Sequence, residues 1–448
     1  MSEVTTQNID QLVYTAVFGE TKERDAARIE IFKTAYAKGI KSASIHNLYA
    51  ARGKGVIPPT FTVPAINIRC LTYDVARAAF RVAKKLDAGA FILEIARSEM
   101  GYTLQRPMEY AAVVLAAALR EQWEGPVFLQ GDHYQFSASK YPKNPSAETN
   151  AIRELISESL TARFLNIDID ASTLVDMTKP TLQEQQRLNA TLSADMCAFI
   201  RKHQPNGVTV SVGGEIGEVG THVTSLEEFT AYQDLYREEL KRLNASPGPM
   251  KISINTGTSH GGKVDSAGKL QTMAVRFDLI ESTGKAAREQ YGMAGVVQHG
   301  ASTLPESEFD KFPSAGACEI HLATGFQNLV LDHPAFPEEL TERIVAYCTT
   351  ELMSEKKEGD TTEQFIYKTR KKALCSLKRP MWDMPQATRD AIMQTMEEKF
   401  TLLFTKLKVT GTRALVREYA IVDTVPPTGN EAGAPIDLGS GMAGNEGE

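Results

Sequence analysis

The 448-residue chain lacks most of the features that would place a protein in a specialised class. It has only five cysteines, an odd number scattered at positions 70, 197, 318, 348 and 375, with no CxxC pair. That argues against a disulfide framework and for a reduced, cytoplasmic protein. The longest apolar run, Ala111 to Leu119, is nine residues, where a membrane span needs about 18. The stretch MSEVTTQNID has neither a basic segment nor an apolar one, so a secretory signal is not expected there. No block of Lys and Arg stands out, and the net charge is −7 (49 basic, 56 acidic residues), which argues against an electrostatic nucleic-acid binder. Neither GxGxxG nor GxxxxGK[ST] follows the first apolar run, which weakens a nucleotide-binding reading.

What is present is ordinary globular composition, 42% hydrophobic and 23% charged, enough to bury a full core. From about residue 60, short apolar runs alternate with longer amphipathic segments. The runs are Phe61–Ile68, Ala90–Ile95, Pro126–Gln130, Phe164–Ile169, Val208–Val212, Lys251–Asn255, Gly295–Val297 and Ala317–Leu322. Continuous apolar strands separated by helices read as a parallel sheet covered on both faces. Eight such units predict an α/β fold, a (β/α)8 TIM barrel, over an open doubly wound sheet of fewer strands. The expected division is a helical segment over 1–58, the barrel over 59–334, a helical extension over 335–425 and a Gly-rich, disordered tail over 426–448. The extension has no strand alternation and reads as an appendage or oligomer arm.

Active sites of such barrels lie where strands end and loops begin. Three of the eight histidines, His133, His260 and His299, are placed there, each close to glycine. Three neutral imidazoles with one open position suit a catalytic zinc ion. The alternative for any single one is a hydrogen-bonded rim residue. His321 follows the last run and reads as a structural or substrate-contacting group before a ligand. Asp132 precedes His133 and suits either acid/base work or orienting the imidazole. Asp170 and Glu215 are candidate ligands or ligand partners, although Asp170 also suits a cap. The glycine–hydroxyl loops Gly257-Thr258-Ser259 and Gly300-Ala301-Ser302-Thr303 offer backbone N–H groups to a phosphate, with Lys263 nearby. Lys251 opens the sixth run. Its expected place is the end of the barrel opposite the mouth, which argues against imine chemistry.

VPAINI (63–68), QGDH (130–133), IDAS (169–172), GGEIGEVG (213–220), GTSHGG (257–262) and VQHGAST (297–303) together resemble the class II, zinc-dependent fructose-bisphosphate/tagatose-bisphosphate aldolase family. The resemblance covers roughly residues 60–330. It implies that His133, His260 and His299 bind the catalytic Zn2+ and that Asp132 donates a proton on the C4 oxygen side of the aldol. Glu215 and Asp170 would serve an alternative metal position or its surroundings, with a second or monovalent cation as a further expectation. Gly261, Lys263, Gly300, Ser302 and Thr324 would line the phosphate of a dihydroxyacetone-phosphate unit, with Asn67 and His321 near the substrate.

The chain also departs from the family pattern. The acidic pair of the loop that supplies the proton-abstracting glutamate is missing from Glu218-Val219-Gly220-Thr221-His222-Val223-Thr224-Ser225, leaving Glu218 or His222 to substitute. The usual N-x-D-T at the eighth strand reads His321-Leu322-Ala323-Thr324. In GDH followed by IDAS, and in length, the chain is also similar to the accessory subunit of tagatose-bisphosphate aldolase, but it keeps the later histidines. The expected function is reversible cleavage of a ketose phosphate, fructose 1,6-bisphosphate first, by a homo-oligomer (dimer or tetramer) acting on a small sugar phosphate, with no nucleic-acid or membrane partner. The competing readings are a non-catalytic barrel subunit and a different metal-dependent barrel enzyme.

Overall fold

The computed structural model describes residues 8–217, 222–258, 263–271 and 274–428. Eight parallel strands close on themselves: β1 (Val63–Asn67), β2 (Ile92–Ala96), β3 (Pro126–Gln135), β4 (Asn166–Asp170), β5 (Ser211–Glu215), β6 (Lys251–Ser253), β7 (Gly295–Gln298) and β8 (Glu319–Leu322). Each pairs with the next, and β8 pairs with β1 through Glu319↔Val63 to Leu322↔Ile66, completing the barrel. Helices such as Thr72–Lys85, Pro107–Arg120, Pro145–Thr161, Leu182–His203, Leu226–Arg242 and Phe277–Tyr291 lie between the strands. The fold is the expected TIM barrel. Largely apolar runs make the strands because both of their faces are covered, with a few buried polar residues, among them Glu94, Lys251 and Glu319, set within them.

Two expected strand ends move. Gly213, Gly214 and Glu215, read as a loop, lie inside β5, and Gly131, Asp132 and His133 lie inside β3. The glycines fit because their neighbours leave no room for a side chain. A Cβ on Gly213 would come 2.2 Å from Asp168 Oδ1, and one on Gly214 would come 2.8 Å from the Tyr232 hydroxyl.

The first segment is not helical throughout. After helices Ile9–Phe18 and Thr21–Ala37, a strand at Lys41–Ser44 pairs with the start of β3 and, antiparallel, with Ile421–Val422. The stretch KSAS carries no apolar pattern; its strand form comes from pairing, which sequence periodicity does not register. The C-terminal helices pack on this chain's own barrel. The Leu407 carbonyl accepts from Thr62 N at 3.0 Å just ahead of β1. Thr412 Oγ1 accepts from Gly89 N and Ala90 N just ahead of β2. This block therefore packs beside the N-terminal ends of β1 and β2, and among the described residues no helix is long and apolar enough to cross a membrane.

His46 opens the helix His46–Gly53 and is almost fully buried. Burial, with Arg201 and Lys54 adding positive charge, pushes its imidazole down to about 4 from the ordinary 6.5. The unfolded chain therefore takes up this proton first, and stability falls as pH drops from about 6.5 towards about 4. At about 1.4 kcal/mol per unit of pH, the loss is on the order of 3 kcal/mol. Urea midpoints measured between pH 7 and pH 4.5 should fall less steeply in His46→Leu than in the wild type.

Candidate active site

At the C-terminal ends of β3, β4, β5 and β7 the structure brings together His133, Asp170, Glu215 and His299, with Asp132 beside them. The key element is a bulge in β3. The pairing with β4 runs Gln130↔Asn166 and Gly131↔Ile167, then slips to Tyr134↔Ile169. Neighbouring side chains of a regular strand point to opposite faces. A bulge breaks that alternation. Here His133 takes the left-handed region (φ 40°), and Asp132 and His133 both face the barrel interior, His133 Nε2 lying 3.9 Å from Asp132 Oδ1. Gly131 permits the turn, because a Cβ there would sit 2.3 Å from the Tyr134 ring.

His133 is the hub. Its Nδ1 lies 3.1 Å from Asp170 Oδ2 and 3.0 Å from Glu215 Oε2, and its Nε2 lies 3.0 Å from His299 Nδ1. Burial opposes a charge on His133, yet Asp132, Glu215 and Asp170 hold its proton affinity well above the ordinary imidazole value. Burial would raise Asp170, but hydrogen bonds from His133 and Ser172 keep it below the usual carboxylate range. The donor atoms of Asp132, His133 and His299 lie within 4.8 Å of one another, as do those of His133, Asp170 and Glu215. The three buried carboxylates Asp132, Asp170 and Glu215 repel one another unless positive charge joins them, supplied by a proton on His133 or by a cation in its place, and a nitrogen–oxygen donor set of this kind fits a divalent metal. Three of these residues are also held by their surroundings. Asp170 Oδ1 accepts from Ser172 N and Oγ at 2.9 and 2.7 Å, and the Glu215 and His299 carbonyls accept from Asn189 Nδ2 and Thr258 Oγ1.

A second group gathers at the neighbouring rim. Ser302 Oγ accepts from Gly325 N at 3.1 Å, at the start of the helix Thr324–Leu331. Gly300 takes a positive φ of 67° in the same loop. Arg69 joins Thr324 Oγ1 at 3.1 Å and Glu99 at 2.6 Å, and Glu99 also accepts from Asn67 Nδ2 at 2.6 Å. Glu218, His260 and Gly261 lie outside the described residues, as does the side chain of Lys263.

The profile of the family described as fructose-bisphosphate aldolase class II matches residues 58–405, most of the chain. The chain belongs to that family. It is an aldolase, a carbon–carbon lyase. Among solved structures the aldolase is similar to the fructose-bisphosphate aldolase of Campylobacter jejuni (16% identity, TM-score 0.50, 83% of this chain and 96% of that one). It is also similar to a probable tagatose 6 phosphate kinase of Sinorhizobium meliloti (16% identity, TM-score 0.52, 83% and 95%). At such identity these likenesses speak for the fold alone. No curated protein matches the aldolase closely enough to count as a relative.

Beneath the His133 cluster the aldolase carries a charged barrel interior in place of the usual branched apolar layers. Lys251 is not at the far end of the barrel, as its position in the sequence suggests. It points inward and is fully buried, with Nζ 2.8 Å from Asp168, 2.7 Å from Gln130 Oε1 and paired with Glu319. Burial works against its ammonium, but Asp168 and Glu319 hold the proton firmly, so this lysine is no imine-forming amine. His321 is enclosed, with Nε2 2.6 Å from Glu319 and Nδ1 3.1 Å from Asp132 and 3.3 Å from Glu94. Burial opposes its charge, yet Glu94 and Asp132 raise it well above 6.5. Both ring nitrogens then donate, and His321 sits behind Asp132 rather than at the mouth. Glu94, Glu99, Arg69 and Glu319 escaped the sequence reading. Glu94 and Glu319 did leave a signal, since each is a carboxylate set within an apolar strand run.

Proposed function

We propose that this aldolase is zinc-dependent and reversibly cleaves a ketose phosphate, fructose 1,6-bisphosphate first among them, to dihydroxyacetone phosphate and an aldehyde such as glyceraldehyde 3-phosphate. The observation that carries the reading is the β3 bulge, which turns Asp132 and His133 together onto His299, Asp170 and Glu215. His133 and His299, with His260, would hold the metal, and Glu215 and Asp170 would hold a second position or steady the first. The chemistry zinc supplies there is Lewis-acid polarisation of the ketose carbonyl and its neighbouring hydroxyl.

The chain's own residues do the rest. Asp132, steadied by His321, hands a proton to the aldehyde oxygen as the carbon–carbon bond forms and takes it back on cleavage. Gly300, Ser302 and Thr324, with Gly261 and Lys263, hold the phosphate through backbone N–H groups, hydroxyls and an ammonium. Asn67, fixed by Glu99, meets the substrate beside them. In this reading residues 59–334 carry the catalysis, and the free cysteines suit a reducing cytoplasm.

The test is a panel of ketose mono- and bisphosphates given to EDTA-stripped protein with and without added zinc, with triose phosphate read through a coupled assay. Stripping should cost at least about a hundredfold in rate, restored by zinc, because Lewis-acid stabilisation is worth several kcal/mol. Zinc binding with no cleavage of any member would remove the ketose-phosphate assignment.

A further inference from the structure

Condensation in this reaction needs two proton transfers at two places. Asp132 serves the aldehyde oxygen. A different group must take the C–H proton of dihydroxyacetone phosphate from the carbon that carries the hydroxyl. The groups of the central cluster are already engaged: His133 and His299 face each other, Asp170 and Glu215 lie on His133, and both nitrogens of His321 donate.

One imidazole stands at the rim outside this cluster. His222 comes seven residues after Glu215, and its side chain is 38% exposed. Its segment is fastened to the mouth of the barrel. Thr224 N donates to the Asn255 carbonyl and Asn255 N donates to Thr224 Oγ1, both at 2.9 Å, two residues beyond the end of β6. Thr224 Oγ1 also lies 3.4 Å from where a Cβ of Gly217 would be. At two residues' remove from Thr224, His222 is held to the rim of β5 and β6.

The partner of this imidazole is unusually well fixed. His222 Nε2 lies 2.7 Å from Glu228 Oε1, whose side chain is only 6% exposed. The other oxygen, Oε2, accepts from Ser225 N at 2.8 Å, in the capping box that starts the helix Leu226–Arg242. A carboxylate that can only accept sets the proton on Nε2 and leaves the lone pair on Nδ1. A base held in one tautomer by a buried carboxylate is the arrangement that lets histidine take protons in catalysis.

We propose that His222, oriented by Glu228, is the base that deprotonates dihydroxyacetone phosphate; this rests on the aldolase reading above. The C–H bond breaks and its proton forms an N–H bond on His222 Nδ1. The electron pair becomes the C=C bond of the enediolate, and the carbonyl oxygen takes the negative charge. The enediolate carbon then attacks the aldehyde carbon, whose oxygen receives the proton of Asp132. His222 and Asp132 return to their starting states by exchanging one proton each with water, and cleavage runs the same steps in reverse.

The test is wash-in of deuterium from heavy water into dihydroxyacetone phosphate, followed by NMR, with zinc-loaded protein and no aldehyde present. Wild type should exchange. His222→Gln should fall by about a hundredfold or more, farther than Glu218→Gln, with zinc content unchanged. Glu228→Gln keeps an oxygen for the cap and should fall by a smaller factor, mainly in kcat. Exchange at the wild-type rate in His222→Gln overturns the proposal, as does a loss confined to Glu218→Gln. A wild type that exchanges nothing overturns the aldolase reading itself, which the two variants then leave distinct from a failure of His222 alone.

Discussion

His299→Ala is expected to lose stoichiometric zinc and at least about a hundredfold in ketose-phosphate cleavage, since metal polarisation is worth several kcal/mol. The reason lies in how the nitrogen donors meet. Among the described residues, His133 and His299 are the histidines of the cluster whose nitrogens face each other across 3.0 Å. A catalytic zinc site uses three protein ligands, and removing His299 leaves only two of the proposed three, His133 and His260. His299 is 2% exposed, and truncation leaves a small polar gap rather than a broken apolar core. Zinc content by atomic absorption, a melting curve and the coupled assay on one preparation separate loss of metal from loss of fold. A folded, zinc-free, inactive variant is the expected outcome. A variant that keeps one zinc per chain and cleaves normally would place the metal elsewhere.

Asp132→Asn is expected to lower kcat for cleavage by about 10²–10⁴-fold, the usual worth of a positioned acid or base, while zinc stays bound. Asparagine keeps the shape and still offers an oxygen to His321 Nδ1, which lies 3.1 Å from Asp132 Oδ1. It cannot pass a proton. The loss should be confined to steps that involve the aldehyde oxygen. Deuterium wash-in to dihydroxyacetone phosphate should therefore survive in Asp132→Asn while cleavage is lost. Equal loss of both would mean that Asp132 acts on the C–H proton or that the variant disturbs the whole cluster. The pairing of this variant with His222→Gln divides the reaction between its two ends.

Much of the fold was legible because a parallel barrel writes itself as buried strands. Runs such as Ala90–Ile95 and Phe164–Ile169 are mostly apolar and, in the fold, almost wholly buried, as strands covered on both faces are. The candidate residues His133, Asp170, Glu215 and His299 were legible for a related reason: polar groups at the ends of such runs face the barrel mouth. The arrangement that joins them was not. Simple alternation would send Asp132 and His133 to opposite faces, and only the slip at Gly131–Tyr134 turns both inward. Lys251 was misplaced because position along a strand fixes height in the barrel but not the partners that a buried ammonium finds. Asp168 and Glu319 come from strands far apart in sequence and adjacent only once the barrel closes. Lys41–Ser44 was missed because its strand exists only through pairing with β3.

The charged interior also bears on how the Asp132 carboxylate is held. His321 binds Asp132 on one side and Glu319 on the other, and Lys251 binds Glu319 and Asp168. Such a chain is costly to break at any member, because a lone buried charge remains. It fixes the Asp132 carboxylate from below while the bulge fixes it from the backbone. The two constraints leave the carboxylate little freedom, which suits a group that must meet one oxygen of the substrate.

The most direct measurement is an anomalous-difference map at the zinc edge from crystals grown with equimolar zinc. The account predicts a single strong peak within bonding distance of both His133 and His299, about 2.0–2.1 Å from each nitrogen. No peak there, or zinc bound only away from these two imidazoles, would contradict it.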